Sequence, residues 1–310
     1  MRNLLVFPGQ GSQHIGMGKT FSENFVAARD VFDEVDESLS QSLSKIMWDG
    51  DIEELTKTEN AQPAIMSASI AILRVLENEI GIDFSKIGYC AGHSLGEYSA
   101  LAIAGALSVG DAARLLRTRG VAMQAAVPVG VGAMAALLGL DFETASEIAK
   151  EAAGDEVCEA ANDNDPTQVV ISGHKSAVAR AVELAKENGA KRAVLLPVSA
   201  PFHCSLMAPA AEVMKEALAD AIIKAPSVPI VANVKAEAVS DPDEIRELLI
   251  QQITGSVGWR ESVMWMAQNG VTEIWEIGAG KALSGMVRRI ERAIECKNIA
   301  TPDDISALRK

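Results

Sequence analysis

Between Asp111 and Met123 apolar residues recur at helical spacing, with Ala112, Leu115, Leu116 and Met123 on one face. Arg119 falls on that same face, whereas Arg114 and Arg117 point to the opposite side, where water can solvate them. A guanidinium carried inward with an apolar stripe needs an anion, either a carboxylate of the protein or one that belongs to a ligand. Through most of the chain Val- and Ile-rich runs alternate with Ala-rich segments, the pattern of an α/β protein with a largely parallel sheet. LLVF (4–7) and IGYCA (87–91) read as strands, each followed by a glycine-bearing turn, GQGSQ and GHSLG. Two loops should therefore converge at the carboxyl edge of the sheet. IWEIGAGKALSGM (274–286) repeats the order of strand, glycine turn and helix.

The rhythm changes between about 130 and 198. A strand at 132–139, a helix at 142–153, strands at 157–161 and 168–172, a helix at 176–188 and a strand at 192–198 are expected. That β-α-β-β-α-β order predicts a ferredoxin-like subdomain. The expected organisation is a large α/β-hydrolase-like domain from 1–128 and 199–310, with residues 129–198 inserted and a ligand cleft between the two. The tail after Lys297 carries little pattern and should end in a short surface helix.

No charge occurs from Gly120 to Leu140, but Pro128, Gly130, Gly132 and Gly139 divide this stretch into a helix end, a turn and a short strand, so it does not read as a membrane span. The N-terminal MRNLLVFPGQG enters a strand directly, without the pattern of a signal peptide, and the expected location is cytoplasmic. The 310 residues exceed the size at which single cores stop growing, and 48% hydrophobic with 23% charged residues is an ordinary globular composition. A net charge of −14 disfavours nucleic acid and anionic membrane as partners. Cys90, Cys158, Cys204 and Cys296 are widely spaced, which signals neither a disulfide framework nor a zinc site and predicts buried thiols.

Gly92-His93-Ser94-Leu95-Gly96 is a GxSxG pentad between an expected strand and an expected helix. The string alone is weak, since a chain of 310 residues holds on the order of 0.1 such pentads by chance. The strand-turn-helix setting puts Ser94 on a sharp turn and aims the N–H of Leu95 at the charge that develops in acyl transfer. A second oxyanion donor can come from the first glycine turn, at Gln10. Read as a dinucleotide fingerprint that turn fails, because His14 stands where the third glycine belongs. Of four histidines, His93 adjoins the serine and reads as packing, and His174 lies in a turn of the insert. His14 stays open by position. His203, where the chain leaves the insert and overhangs the cleft, is the best candidate base.

FPGQGSQ (7–13), NAQPA (60–64), GHSLGEYSAL (92–101), RTRG with MQ (117–124), GAMAALLG (132–139), ANDNDPTQVVISG (161–173), PFHCSLM (201–207) and GAGKALSGM (278–286) together resemble the malonyl-CoA:acyl carrier protein transacylases and the acyltransferase domains of polyketide and fatty acid synthases. The resemblance spans nearly the whole chain. It implies Ser94 as nucleophile, His203 as base, Gln10 and Leu95 as oxyanion donors, and Arg119 as the group that grips the malonyl carboxylate. It further implies that a main-chain or amide oxygen at Gln252 orients the histidine, and that Gln62, Met123, Met134 and Asn162 line or support the pocket. Phe202 and Leu95 match the malonyl-selective pattern. Cys204 stands where serine is common in the family and Ala279 where proline is frequent. The implied partners are malonyl-CoA and phosphopantetheinylated acyl carrier protein, with no metal or other cofactor. For an acidic carrier, Lys281, Arg288, Arg289 and Arg292 form one candidate basic island and Lys191 with Arg192 another. A serine esterase or thioesterase of α/β-hydrolase or patatin-like type shares GxSxG. However, the α/β-hydrolase base lies near the C-terminus, whereas His203 precedes more than a hundred residues, and patatin-like enzymes use aspartate. A non-enzymatic acyl-CoA-binding protein is the other alternative, disfavoured by the intact Ser94, His203 and Arg119.

Overall fold

The computed structural model describes residues 2–82, 86–198 and 200–308. Ser199, expected to follow the insert, and Met1, 83–85 and 309–310, all within the expected large domain, lie outside the described residues. The strands are β1 (Arg2–Phe7), β2 (Ile87–Gly92), β3 (Gly132–Leu138), β4 (Cys158–Asp165), β5 (Gln168–His174), β6 (Arg192–Leu195), β7 (Ile230–Val231), β8 (Ala238–Val239), β9 (Val271–Ile277) and β10 (Glu295–Ile299).

Six of them form one sheet in the order β10-β9-β1-β2-β7-β8. All its pairings are parallel except β7 with β8. Leu4, Leu5, Val6 and Phe7 are each fully buried, which explains the unbroken apolar run: a central parallel strand is covered on both faces. The fold is thus mixed α/β with a mainly parallel sheet. β10 is not among the expected strands and runs two residues past Lys297, into the stretch that carries little pattern. It is an edge strand whose polar residues work sideways: Lys297 pairs with Glu273 of β9 at 2.8 Å and its ammonium lies 5.1 Å from the Trp275 ring centre. An edge strand held by such pairs lacks the apolar alternation that marks an inner one.

The other four strands form an antiparallel sheet ordered β4-β5-β3-β6, with the helices Phe142–Ala153 and Lys175–Glu187 between β3 and β4 and between β5 and β6. The two-residue period of β3 divides its side chains between two cores. Ala135 and Leu137 join an apolar cluster whose buried members all lie between Ala135 and Ala185, whereas Met134 and Ala136 join the main core. β6 ends at Leu195, short of the expected 198. Pro197 follows and has no N–H to give a ladder. The short helix Pro302–Ala307 closes the chain as expected, capped reciprocally by Thr301 and Asp304. Among the described residues no helix is long and apolar enough to cross a membrane.

The loops after β1 and β2 meet. The His93 N–H donates to Phe7 O at 3.1 Å, and a β-carbon on Gly9 would come within 2.7 Å of His93 O. Glycine permits that approach of two main chains, and it is there that the chemistry-bearing residues gather.

Candidate active site

Ser94 turns the chain from β2 into the helix Gly96–Ile103 with φ of 52°. Left-handed backbone at a residue with a β-carbon is strained by about 1–2 kcal/mol and needs support. The two pentad glycines allow the turn: a side chain on Gly92 would strike the Gly96 main chain, and one on Gly96 would strike the Phe7 carbonyl. Asn233, after β7, holds it. Its Oδ1 accepts from Ser94 N and its Nδ2 donates to Gly92 O, both at 2.7 Å.

His203 also has positive φ, 59°, so two of the four such non-glycine residues among those described face each other across the site. The Ser94 Oγ lies 2.8 Å from His203 Nε2 and the His203 Nδ1 lies 2.8 Å from the main-chain oxygen of Gln252. A carbonyl oxygen accepts only, so it places the proton on Nδ1 and leaves Nε2 to accept from the serine hydroxyl. Of the two oxygens left open at Gln252, the main-chain one meets the histidine. Burial first, then the Arg119 charge, push the His203 pKa down to about 3, which keeps the imidazole neutral.

Arg119 is 1% exposed, on the buried face of the helix Val109–Ala125 with Ala112, Leu115, Leu116 and Met123. Its Nη1 donates to Gln62 Oε1 at 2.7 Å, and its Nη2 donates to Gln252 Oε1 at 2.8 Å and to Ser94 Oγ at 3.0 Å. The guanidinium also stands 5.9 Å from the Tyr98 ring centre. Its Nε has no hydrogen-bond partner, and among the described residues no carboxylate forms an ion pair with it. Burial works against its charge, yet a guanidinium does not deprotonate in a protein. The structure therefore holds a cation solvated by neutral amides and a hydroxyl, directly beside a serine hydroxyl bonded to a neutral imidazole.

A cavity of about 530 Å³ opens onto this cluster. Gln10, Gln62, Ser94, Leu95, Arg119, Met123, Met134, Asn162, Phe202 and His203 all border it; Gln252 is fully buried behind it. Leu196, Pro197 and Val198, after β6, also line it, as do Ile52 and Thr56. His93 borders the cavity too, bonded to Asn164 Oδ1 at 2.9 Å, with its ring 6.0 Å from that of Trp259. His174 accepts from Val157 N at 2.9 Å and His14 is exposed; neither borders the cavity.

Three participants escape sequence reasoning. Thr58 is buried and relays between Gln62 Nε2 (2.9 Å) and Gln10 Oε1 (3.0 Å). Asn233 and Glu97 are the others. Glu97 is the one charged residue of the buried GEYSALAI helix, a signal akin to the one that singles out Arg119. Asn233 carries no such signal, because one polar residue after a short strand is commonplace. Two surface expectations are corrected. Arg117 is half-buried, and its Nε and Nη2 find no partner. Arg289 is not a free member of a basic island, since it pairs at 2.7 Å with the fully buried Asp165. Lys281, Arg288, Arg292, Lys191 and Arg192 are exposed. The thiols of Cys90, Cys158 and Cys204 are buried and that of Cys296 is half-buried.

The family model described as acyl transferase domain matches residues 4–293. The chain is 48% identical over 302 residues to the malonyl CoA-acyl carrier protein transacylase of Bacillus subtilis, covering 97% of this chain and 94% of that protein. It is 43% identical to the Escherichia coli protein of the same name, with 97% of each covered. The crystal structure of an acyl-carrier-protein-S-malonyltransferase from Bartonella henselae superposes with a TM-score of 0.97 at 54% identity, covering 99% of this chain and 98% of that one. A malonyl-transacylase in complex with its type II PKS acyl-carrier protein superposes at 0.96 with 39% identity, covering 99% and 98%.

Proposed function

Because the chain belongs to the acyl transferase domain family, we propose that it transfers the malonyl group of malonyl-CoA to the phosphopantetheine thiol of acyl carrier protein, through a malonyl ester on Ser94, in fatty acid biosynthesis. The observation that carries this reading is the double engagement of one hydroxyl: Ser94 Oγ stands 2.8 Å from His203 Nε2 and 3.0 Å from a buried guanidinium that no carboxylate of the described residues contacts directly. The first contact suits a nucleophile and its base; the second suits an acyl group with a negative tail.

In the first half-reaction the Ser94 hydroxyl proton passes to His203 Nε2 as Oγ bonds to the thioester carbon. The carbonyl oxygen becomes an oxyanion facing the main-chain N–H groups of Leu95 and Gln10. Collapse breaks the C–S bond, and CoA leaves with the proton from His203. The malonyl carboxylate stays on Arg119, with Gln62 and Gln252 fixing the guanidinium plane. In the second half-reaction the carrier thiol gives its proton to His203 as its sulfur bonds to the ester carbonyl carbon, and the C–Oγ bond then breaks as His203 returns that proton to Ser94. One covalent intermediate shared by two acceptors gives ping-pong kinetics. The reaction so written uses no metal or redox cofactor.

The finer architecture belongs to the same proposal: residues 129–198 form a ferredoxin-like subdomain inserted in an α/β-hydrolase-like domain, a reading supported by the β4-β5-β3-β6 order and the separate apolar cluster. Met123, Met134, Asn162 and Phe202 shape the pocket. Carrier protein docks on Lys281, Arg288 and Arg292, or on Lys191 and Arg192, in a cytoplasmic setting.

Mass spectrometry of the intact protein after incubation with mixed malonyl-, methylmalonyl- and acetyl-CoA tests nucleophile, reaction class and selectivity together. A malonyl adduct, absent in Ser94→Ala and discharged by holo carrier protein, is the expected result. Rapid release of free malonate without an acceptor would instead identify a hydrolase.

A further inference from the structure

We propose that Glu97 is a positioning residue for malonyl transfer: its buried carboxylate sets the orientation of the Gln252 amide and, through it, of the Arg119 guanidinium. The inference rests on the transfer reading above and deepens it. Glu97 is 3% exposed, in the first turn of the helix that Ser94 initiates, and has no role in the bond-making steps.

One oxygen, Oε2, accepts from Gln252 Nε2 at 2.8 Å and from the main-chain N–H of Asn233 at 3.1 Å. The Gln252 amide has a different neighbour at each end. Its nitrogen faces three acceptors, Glu97 Oε2, Ser94 O at 3.1 Å and Asn233 Oδ1 at 3.3 Å, while its oxygen faces Arg119 Nη2 at 2.8 Å. Turned over, the amide would set an NH₂ group against a guanidinium and an oxygen against a carboxylate. Oε2 is the nearest of the three acceptors, and only an oxygen at that reach serves both the Gln252 amide nitrogen and the Asn233 N–H. Glu97 thus decides which end of Gln252 reaches Arg119. The guanidinium in turn is held at two corners, by Gln252 and Gln62, in the plane that a carboxylate must meet for a bidentate pair. The second bond of Oε2 reaches Asn233, whose side chain braces Ser94 N and Gly92 O. One carboxylate oxygen thereby ties the acid-recognising cation and the nucleophile turn to a common point.

Two conservative variants separate reach from charge. Glu97→Asp keeps the anion but withdraws it by one methylene, too far to serve both donors; Glu97→Gln keeps an oxygen at full length and removes the charge. Single-turnover acylation is measured with malonyl-CoA and with acetyl-CoA, and the ratio of the two rates is read, so that the folded fraction cancels. Glu97→Asp is expected to slow malonyl acylation about 10- to 100-fold and to lower the malonyl-to-acetyl ratio at least about 5-fold, because only the malonyl group uses the misplaced guanidinium. Glu97→Gln is expected to hold that ratio within about 3-fold of wild type. A merely structural residue would depress both acyl groups alike. An unchanged ratio in Glu97→Asp, or a fall in Glu97→Gln as large as in Glu97→Asp, overturns the proposal. Wild type in the same assay must form the Ser94 malonyl adduct; its failure to do so would remove the transfer reading itself, whereas an intact adduct with an unmoved ratio removes only the role of Glu97.

Discussion

Replacing Arg119 by alanine is expected to abolish preference for the malonyl group without abolishing acyl transfer as such. The guanidinium is 1% exposed and makes three hydrogen bonds, to Gln62, Gln252 and Ser94, none of them to an anion. A ligand carboxylate would therefore meet a cation that no carboxylate of the described residues contacts directly. Removing one partner of a buried, hydrogen-bonded charge pair costs about 2–5 kcal/mol, which corresponds to a loss of roughly 30- to 5,000-fold in kcat/KM for malonyl-CoA. An acetyl group has no carboxylate to lose, and only the Nη2 bond to Ser94 Oγ bears on its transfer. That contact is worth about 1.5–3 kcal/mol at most, as a hydrogen bond to a charged group. The Ser94 contact is lost to both esters and cancels, so the malonyl-to-acetyl ratio of kcat/KM should fall by the share of the carboxylate pair alone, about 30-fold or more. Steady-state rates with both CoA esters, in Arg119→Ala and in Arg119→Lys, provide the measurement. The lysine variant keeps the charge but not the planar fork, and should recover part of the ratio. Equal losses for both esters in Arg119→Ala would refute the reasoning and leave Arg119 a structural cation.

The depressed pKa of His203 has a definite sign in stability: the unfolded chain binds a proton near pH 6.5 that the folded chain refuses until about pH 3, so stability is present above 6.5 and is lost at up to about 1.4 kcal/mol per unit as pH falls through that window. Proton NMR of the imidazole should show no titration near 6.5; a midpoint there would contradict the geometry. Glu97 works in the opposite direction. Burial raises its pKa to about 7 against the opposing bonds from Asn233 and Gln252 and the Arg119 charge, so its contribution is complete below pH 4.5 and is lost as pH rises through 7. Urea unfolding from pH 5 to 8 should accordingly lose less stability in Glu97→Gln than in wild type, and parallel profiles would speak against it. Gly92→Ala places a methyl group into the Gly96 main chain, which cannot yield, and should lower the unfolding free energy by roughly 3 kcal/mol; wild-type stability and acylation would show that the turn is looser than drawn. Reversing charge at Lys281 and Arg288 should raise KM for carrier protein and leave the CoA half-reaction unchanged, while Arg289→Glu should also destabilise the protein by stranding Asp165; an unmoved KM would discard that docking surface.

Local signals carried much of this molecule. The apolar stripe through Ala112, Leu115, Leu116 and Met123 is enough to say that Arg119 goes inside, because a helix that buries one face must bury every residue on it. The runs LLVF and IGYCA, with glycine turns after them, likewise specify parallel strands ending in close-packed loops, since continuous burial and a near approach of main chains are written in residue type. Ser94 on its turn follows from the same local chemistry. What no local pattern holds is who meets whom across 109, 133 or 158 residues of chain: His203 on Ser94, Gln252 Oε1 on Arg119, Gln252 Nε2 on the Ser94 carbonyl. Those distances come from the packing of the whole sheet and its helices. So does the choice of the main-chain oxygen of Gln252 for the histidine, which freed the amide for the guanidinium, and so does the placing of neutral amides, among the described residues, directly against Arg119. Periodicity decides that a charge is buried. Only the assembled interior decides whether an internal carboxylate reaches it, because ion pairing depends on three-dimensional distance and burial on the face of a single helix.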